Sequence, residues 1–190
     1  MMKTTRKSLW ALTFSAALCA SLSANAETIE VQKLKHVGPF PVSTPWMADS
    51  VNVKGEKFAM EGVLDSPLSF NLLNNGKEVA ASQLLADHAK QNALHLASFT
   101  VSNTSRTKAT VEVKGLKQYR LFVDGEQVKV NGDKAETVLL PSTHTVVIKY
   151  LTSSDSSSDK TADKDAAKTF KVSVTAADGK QLSVGEASAN

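Results

Sequence analysis

The feature that most constrains this chain is a stretch from Thr107 to Tyr150 in which apolar and polar side chains alternate, most clearly in KATVEVK and in YRLFV. A period of two is typical of a β-strand with one buried and one exposed face, because successive side chains point to opposite sides. Gly115, Asp124-Gly125 and Asn131-Gly132 separate these strands. Asp-Gly and Asn-Gly provide the positive φ angles of tight hairpins. The stretch therefore predicts a meander of antiparallel strands.

Strands are also expected on both sides of this stretch. Residues 27–33 are predicted to form an opening strand, and residues 93–101 (ALHLASFTV) a strand that leads into the meander. Near the end, residues 170–174 resume the alternation, Asp178-Gly179 predicts another hairpin turn, and residues 182–184 would form its return strand.

Two segments are expected to differ from this pattern. The proline-rich segment 36–45 should lie at an edge or cross between strands, because proline lacks the donor that a central strand needs. Residues 79–91 (VAASQLLADHAKQ) are the only helix candidate, from their content of Ala, Leu, Gln and Lys. The chain is thus predicted to be all-β, an antiparallel β-sandwich with Greek-key or jelly-roll-like strands and at most one short helix.

The first 26 residues have the composition of a secretory signal peptide. Three basic residues precede an apolar run from Leu9 to about Leu22, and Ala24-Asn25-Ala26 predicts cleavage before Glu27. A transmembrane anchor is the alternative, but the run is short and rich in Ser and Ala. Lipidation of Cys19, the only cysteine, is a second alternative, although Leu18 stands where a lipoprotein signal has a small residue.

Cleavage changes the charge of the chain. The whole sequence has 22 basic and 19 acidic residues, and the signal peptide contains Lys3, Arg6 and Lys7 but no acid. The mature chain would therefore be balanced, with no cysteine, no second apolar run of membrane-spanning length, and no basic excess to suggest nucleic acid as a partner. The expected location is the periplasm, the cell surface or the extracellular space.

The domain organisation follows from these shifts in composition. Residues 1–26 are the signal peptide and residues 27–185 a single β-sandwich domain. Within that domain, residues 27–100 provide N-terminal strands and loops, and residues 101–185 the meander. A Ser-, Asp- and Lys-rich stretch at 152–168 is expected to be a mobile solvated loop, and residues 186–190 a tail.

No catalytic, cofactor-binding or metal-ligating residue is predicted. The histidines His36, His88, His95 and His144 lack metal-ligand spacing, and packing on or beside a sheet is the expected role of His95 and His144. The sequence has neither a G-x-S-x-G elbow nor a Gly-rich phosphate loop. An EF-hand loop beginning at Asp155 would need Gly and Glu where Lys160 and Ala166 stand, so a calcium site is not predicted.

Two aromatic residues are candidates for a binding surface. Phe122 alternates against Leu121 and Val123 and so points away from the face that buries them, and Trp46 lies in the proline-rich region. Either could contact a protein or a glycan partner. For Phe122, packing against the first half of the chain is the default expectation, and a partner is the other possibility.

The run KATVEVKGLKQYRLFVDGEQV resembles accessory β-sandwich modules of secreted bacterial hydrolases. Val123-Asp124-Gly125, Val128, Pro141, His144 and the strand 146–150 also resemble PEGA-type surface modules, although Ser142-Thr143 stands where that family usually has Gly before the His. The mature region as a whole looks like the N-terminal module of secreted prolyl-oligopeptidase-like (S9) serine peptidases. This resemblance implies the module alone, because the family's Ser, Asp and His have no matching positions here.

Three functions remain open on the sequence. The first is a secreted non-catalytic accessory module, related to or truncated from the N-terminal region of an S9-type peptidase. The second is a periplasmic or cell-surface domain that binds protein or glycan. The third is a small enzyme whose site is assembled from distant residues. No cofactor is expected for any of them.

Overall fold

The computed structural model describes residues 26–42, 60–65, 70–85, 93–152, 170–177 and 181–186. The predicted signal peptide, Trp46, His88 and the segment 153–169 lie outside these residues. None of the helical segments within the described ranges has the length and hydropathy that a bilayer crossing requires.

The described residues form twelve β-strands and three short 3₁₀ segments. The strands are β1 (Thr28–Glu30), β2 (Lys33–Pro41), β3 (Lys77–Ala80), β4 (Ala93–Asn103), β5 (Thr107–Lys114), β6 (Tyr119–Val123), β7 (Glu126–Val128), β8 (Val130–Asn131), β9 (Lys134–Leu139), β10 (Ser142–Thr152), β11 (Lys171–Ala176) and β12 (Leu182–Glu186). The 3₁₀ segments are Met60–Val63, Phe70–Asn75 and Ala81–Gln83.

The strands belong to two antiparallel sheets. The five-stranded sheet has the order β1-β11-β5-β9-β8, and the seven-stranded sheet has the order β3-β2-β4-β10-β6-β7 with β12 paired to β4. Apolar residues of both sheets form one core, including Phe99, Ile148 and Leu121 from the larger sheet and Val111 and Val174 from the smaller. The prediction of an all-β antiparallel sandwich is confirmed.

The larger sheet is also covered on its outer face. Leu64 packs there against Leu94 and Leu151, and Leu73 packs against Leu96 and Val147. Leu64 follows the first 3₁₀ segment and Leu73 lies in the second. Strands β4 and β10 are therefore buried on both faces in this region, which explains why all seven residues from Ala93 to Phe99 are buried.

The prediction of a meander is wrong. Strands β5 and β9 pair in the smaller sheet, whereas β6, β7 and β10 lie in the larger one. The chain therefore changes sheet three times between Thr107 and Tyr150: from the smaller sheet to the larger after β5, back to the smaller after β7, and to the larger again after β9. The turn predictions within the stretch are confirmed: Asp124 and Gly125 have φ angles of 52° and 86°, and Gly132 has a φ of 61°.

The predicted hairpin of residues 170–184 is also wrong, because its two strands separate. Strand β11 pairs with β1 and β5 in the smaller sheet, and β12 pairs with β4 in the larger. The turn residues Asp178-Gly179 lie outside the described residues. Similarly, residues 27–33 do not form one strand, since β1 and β2 belong to different sheets.

The proline-rich segment 36–45 is predicted to lie at an edge or to cross between strands, and in its described part only His36 has a neighbouring strand on both sides. β2 pairs with β3 over Lys33–His36 and with β4 from Lys35 to Pro41. The pairing with β4 shifts register between Val37 and Phe40, where Gly38 has a φ of 126° and Pro39 follows a cis peptide bond. The prolines thus lie where β2 has only one neighbouring strand. Such a position tolerates a residue that has no backbone N–H to donate.

The predicted helix at 79–91 does not form over its described part. Residues 77–80 are strand β3, residues 81–83 form a single 3₁₀ turn, and residues 86–92 are not described. Pairing with β2 outweighs the helix propensity of this segment. Two strands extend past their predicted ends. β10 continues through Thr152, and β12 continues through Glu186.

Candidate functional site

His144 is held at the start of β10 by two hydrogen-bond acceptors. Its Nδ1 lies 2.6 Å from Oδ2 of Asp124, and its Nε2 lies 2.7 Å from the backbone oxygen of Leu140. The second oxygen of Asp124 accepts from the backbone N–H of Thr145 at 2.8 Å. The left-handed turn at Asp124-Gly125 therefore directs the Asp124 carboxylate back onto β10.

These contacts determine the protonation of His144. A carbonyl and a carboxylate both accept, so both ring nitrogens must donate, as they do in the imidazolium form. Burial of the ring opposes this charge, but the bonds to Leu140 and Asp124 and the charge of Asp124 outweigh it and raise the pKa of His144 above 6.5. The arrangement holds the β6–β7 hairpin against β10, and it leaves His144 without a nitrogen that could act as a base.

A second histidine cluster lies in the core at the opposite end of β10. Nε2 of His36 is 3.1 Å from Nδ1 of His95, and Nε2 of His95 is 3.1 Å from Oγ1 of Thr152. The hydroxyl of Thr152 donates to the backbone oxygen of Ala93. His95 then donates to Thr152 through Nε2, and a neutral His95 imidazole accepts from His36 at Nδ1.

Aromatic stacking encloses this cluster. The ring of Tyr150 lies 4.9 Å from that of His95 at an interplanar angle of 11°, and the ring of Phe170 stacks with Tyr150 at 6.4 Å. Burial raises the pKa of Tyr150 well above its usual value, so its hydroxyl stays protonated. Gly38 approaches so closely that an added Cβ would lie 3.1 Å from Nδ1 of His95. His95 and Tyr150 are fully buried, so the cluster is a packed part of the core.

Lys149 is a buried cation on the outer face of the larger sheet. Its Nζ donates to the backbone oxygen of Leu64 at 2.6 Å, which ties β10 to the layer that covers the sheet. Burial lowers the pKa of Lys149, while nearby Asp65 raises it and nearby Arg120 lowers it. Arg120 bonds Asp65 at 3.1 Å. These groups anchor the outer layer to the sheet.

A metal centre is not formed by the described residues, since they contain no group of three or more His, Cys, Asp or Glu side chains that could hold an ion. His36, His95 and His144 are buried and hydrogen-bonded within the fold. Their partners lie 59 and 20 residues away along the chain, and no local spacing could have identified them.

A groove lies at one end of the sandwich, and we call it the end groove. It has a volume of about 680 Å³ and is lined by Glu27, Ser102, Asn103, Thr104, Pro141, Ser142, Thr143, Gln181, Leu182 and Ser183. The end of β4 and the starts of β10 and β12 meet here, because Ser102 is in register with both Thr143 and Ser183. No sequence pattern indicates this groove, because the three strand ends that form it are distant in the chain.

The two residues that the sequence proposed for a binding surface are not brought together by the described structure. Phe122 is half-buried and packs with Val37 against the cluster of Leu73, Leu96 and Val147. This is the intramolecular packing expected by default. Trp46 lies outside the described residues, so the proposed surface stays a prediction.

Comparison of the chain with protein-family models, with curated protein sequences and with solved structures finds no match in any of the three.

Proposed function

We propose that this chain is an exported, non-catalytic β-sandwich accessory module, related to the N-terminal region of secreted S9-type peptidases. The two-sheet architecture supports this proposal, since accessory modules of that kind are built from β-sandwiches. The resemblance of the run from Lys108 to Val128 supports it further.

The observation that carries the proposal is the engagement of the described histidines inside the fold. Both ring nitrogens of His144 and both of His95 are hydrogen-bonded to protein groups, and Nε2 of His36 bonds His95. A general base needs a nitrogen that can reach a substrate proton. In these rings the hydrogen-bonded nitrogens instead hold strands of the sandwich together.

An activity screen tests the proposal. The mature protein beginning at Glu27 is incubated with aminoacyl, peptidyl and glycosyl chromogenic substrates, with and without divalent metal, and no turnover above buffer is expected. Turnover that survives repurification and disappears in His144→Ala, with the protein still folded, would restore the enzyme hypothesis.

Export is tested separately. N-terminal sequencing of the protein from its native compartment is expected to start at or near Glu27. Intact Met1 on a membrane-bound product would contradict export, and a lipid on Cys19 would show that the lipoprotein alternative is right.

A second candidate function, a periplasmic or cell-surface domain that binds protein or glycan, is favoured by the end groove. Loops and strand ends at one end of a β-sandwich are a common place for binding residues, because the sheets hold them rigidly while leaving them exposed. The volume of the end groove falls within the range of small-ligand sites, about 300–1,000 Å³.

A further inference from the structure

The geometry of the end groove points to a binding site for a neutral oligosaccharide. This inference deepens the binding-domain candidate and rests on the chain being an exported, non-catalytic module. It is argued from the chemistry of the groove, from a buried acceptor of one lining residue, and from the pairing of the strands that form it.

The lining of the end groove is polar but almost uncharged. Five of its side chains are hydroxyls, two are amides, and Glu27 is its single residue with an ionisable side chain, to which cleavage before Glu27 would add one α-amino group. Hydroxyls and amides both donate and accept hydrogen bonds, as the hydroxyls of a sugar do. A strongly anionic or cationic ligand would find no matching set of charges among these residues.

Three of the hydroxyls form a row across the sheet. Ser183 of β12, Ser102 of β4 and Thr143 of β10 are in register, and Oγ of Ser102 lies 2.7 Å from Oγ1 of Thr143. Ser183 and Thr143 are exposed at the two ends of this row. The row gives a ligand a line of alternating donors and acceptors on rigid strands rather than on flexible loops.

Asn103, another residue of the groove lining, carries an unsatisfied acceptor. Its Nδ2 donates to the backbone oxygens of Ser105 and Leu139, at 2.7 and 3.3 Å, which fixes the orientation of the amide. Its Oδ1 is buried and has no hydrogen-bond partner in the described part of the chain. An unsatisfied buried acceptor is destabilising, so a ligand hydroxyl that gains access to Oδ1 forms a bond without displacing another.

The strand pairing limits where an extended peptide could bind. Peptides that add to a sheet need an edge strand with open backbone groups. At the groove, residues 99–103 of β4 are paired on one side by β10 and on the other by β12, so β4 has no open edge there, whereas β12 offers one among the described strands. Hydroxyl and amide side chains form the rest of the lining, and these suit a ligand held through its own hydroxyls.

The test is a titration of the ¹⁵N-labelled mature protein, followed by NMR. The probes are five neutral hexasaccharides, namely cellohexaose, maltohexaose, xylohexaose, mannohexaose and chitohexaose, with hexagalacturonate as the anionic comparison. We expect at least one neutral probe to shift the amide signals of residues 102–104, 142–143 and 181–183 saturably. No saturable shift at these residues with any neutral probe, or shifts with hexagalacturonate alone, would overturn the inference.

A matched pair of variants locates the site. Ser183→Arg places a long charged side chain at the groove, whereas Ser173→Arg places the same side chain on β11 of the other sheet. We expect Ser183→Arg to weaken binding at least tenfold and Ser173→Arg to leave it unchanged. Equal binding by both variants would contradict the assignment. If Ser183→Arg does not fold, as judged by thermal unfolding, Thr143→Arg serves the same comparison from the opposite side of the groove.

The outcomes separate this inference from the proposed function. A protein without turnover that binds none of the neutral probes remains an accessory module but lacks this site. Turnover of a glycosyl substrate in the activity screen would overturn the non-catalytic function even if sugars bind in the groove.

Discussion

The two ends of β10 use histidine in opposite ways. At its start, His144 lies between a carboxylate and a carbonyl, two groups that accept hydrogen bonds. At its far end, His95 lies between the imidazole of His36 and the hydroxyl of Thr152, two groups that can donate or accept. The first environment requires a charged ring, and the second accommodates a neutral one.

This contrast shows that partners, rather than burial, set the role of each ring. His144 is 7% exposed and His95 is 0% exposed, so both are removed from water. The charge of His144 is stabilised only because the Asp124-Gly125 turn directs a carboxylate toward it. His95 stacks on Tyr150 and is hydrogen-bonded to His36 and Thr152, none of which is a carboxylate. One end of the strand is therefore held by an ion pair, and the other by packing and neutral hydrogen bonds.

We call the end of β10 that holds His144 the charged end and the end that contacts His95 the neutral end. The largest effect on stability is expected at the neutral end. His95→Ala removes a fully buried ring, its stacking on Tyr150, and two hydrogen bonds, which leaves polar atoms of His36 and Thr152 without this partner. Large-to-small changes in a core cost about 2–5 kcal/mol, and we expect the loss for His95→Ala to lie in the upper half of that range. Urea unfolding followed by circular dichroism measures the change.

Thr152→Val is the control for this variant. It keeps the ring and the stacking and removes only the hydroxyl, so we expect it to cost about 1–3 kcal/mol. A cost for His95→Ala no larger than that for Thr152→Val would show that the stack contributes little and that the far end is held by hydrogen bonds alone.

The sequence predicted the strands well and their pairing poorly, and this cluster shows why. Alternation placed His95 and Tyr150 in strands, because a period of two is a local property. It could not show that β4 and β10 pair over all eleven residues from Ala93 to Asn103, which places the two rings side by side. Alternating strands look the same in either sheet of a sandwich, so the meander and the final hairpin were assigned to neighbours in sequence that are not neighbours in space.

The candidate site was less predictable still. Asp124 was recognised from its place before Gly125 as a turn residue, but its side chain also binds a ring 20 residues later. The end groove combines strand ends from 102–104, 141–143 and 181–183. Hydroxyl residues at strand ends are common. Only the register among the three strands shows that these hydroxyls lie next to one another.

The turn that serves the charged end is expected to show the second largest effect. Gly125 has a φ of 86°, and nothing lies within 4 Å of an added Cβ, so backbone strain alone would determine the cost of Gly125→Val. We expect a loss of about 1–3 kcal/mol in the free energy of unfolding. Gly62→Val is a matched control, since its Cβ would also meet open space and its φ is not in the left-handed region. Equal losses in the two variants would show that the turn is not strained.

The pH dependence of stability distinguishes the charged end from the neutral one. Because the fold raises the pKa of His144, the folded state holds a proton that the unfolded state releases near pH 6.5. The stabilisation is complete below pH 6.5 and is lost as the pH rises through the pKa of the folded state. A half-exposed ion pair of this kind contributes about 0.2–1 kcal/mol.

Urea unfolding of wild type and His144→Gln at intervals from pH 5 to pH 9 measures this contribution. His36 and His95 are present in both proteins, so the difference between the two curves isolates His144. We expect the advantage of wild type to shrink toward high pH. An advantage that stays constant, or that grows with pH, would show that His144 is not charged in the folded protein.

The smallest effect is expected from shortening the segment that leaves the neutral end. Thr152 ends β10 in the larger sheet, and Phe170, which stacks on Tyr150, precedes β11 in the smaller sheet. Packed sheets lie about 10 Å apart, and an extended chain covers about 3.3 Å per residue. Five Gly and Ser residues in place of residues 153–167 therefore leave a linker long enough to join the two sheets.

The cost of such a change should be small because the closure entropy of a loop depends only logarithmically on length, at about 0.6 kcal/mol per doubling. Residues 153–167 contain almost no apolar side chain that could add to the core around Tyr150. We expect the melting temperature of the shortened protein to stay within a few degrees of wild type, and the cost of His95→Ala to be the same in both backgrounds. A larger fall in melting temperature, or a smaller cost of His95→Ala in the shortened protein, would show that this segment packs on the neutral end and contributes to its stability.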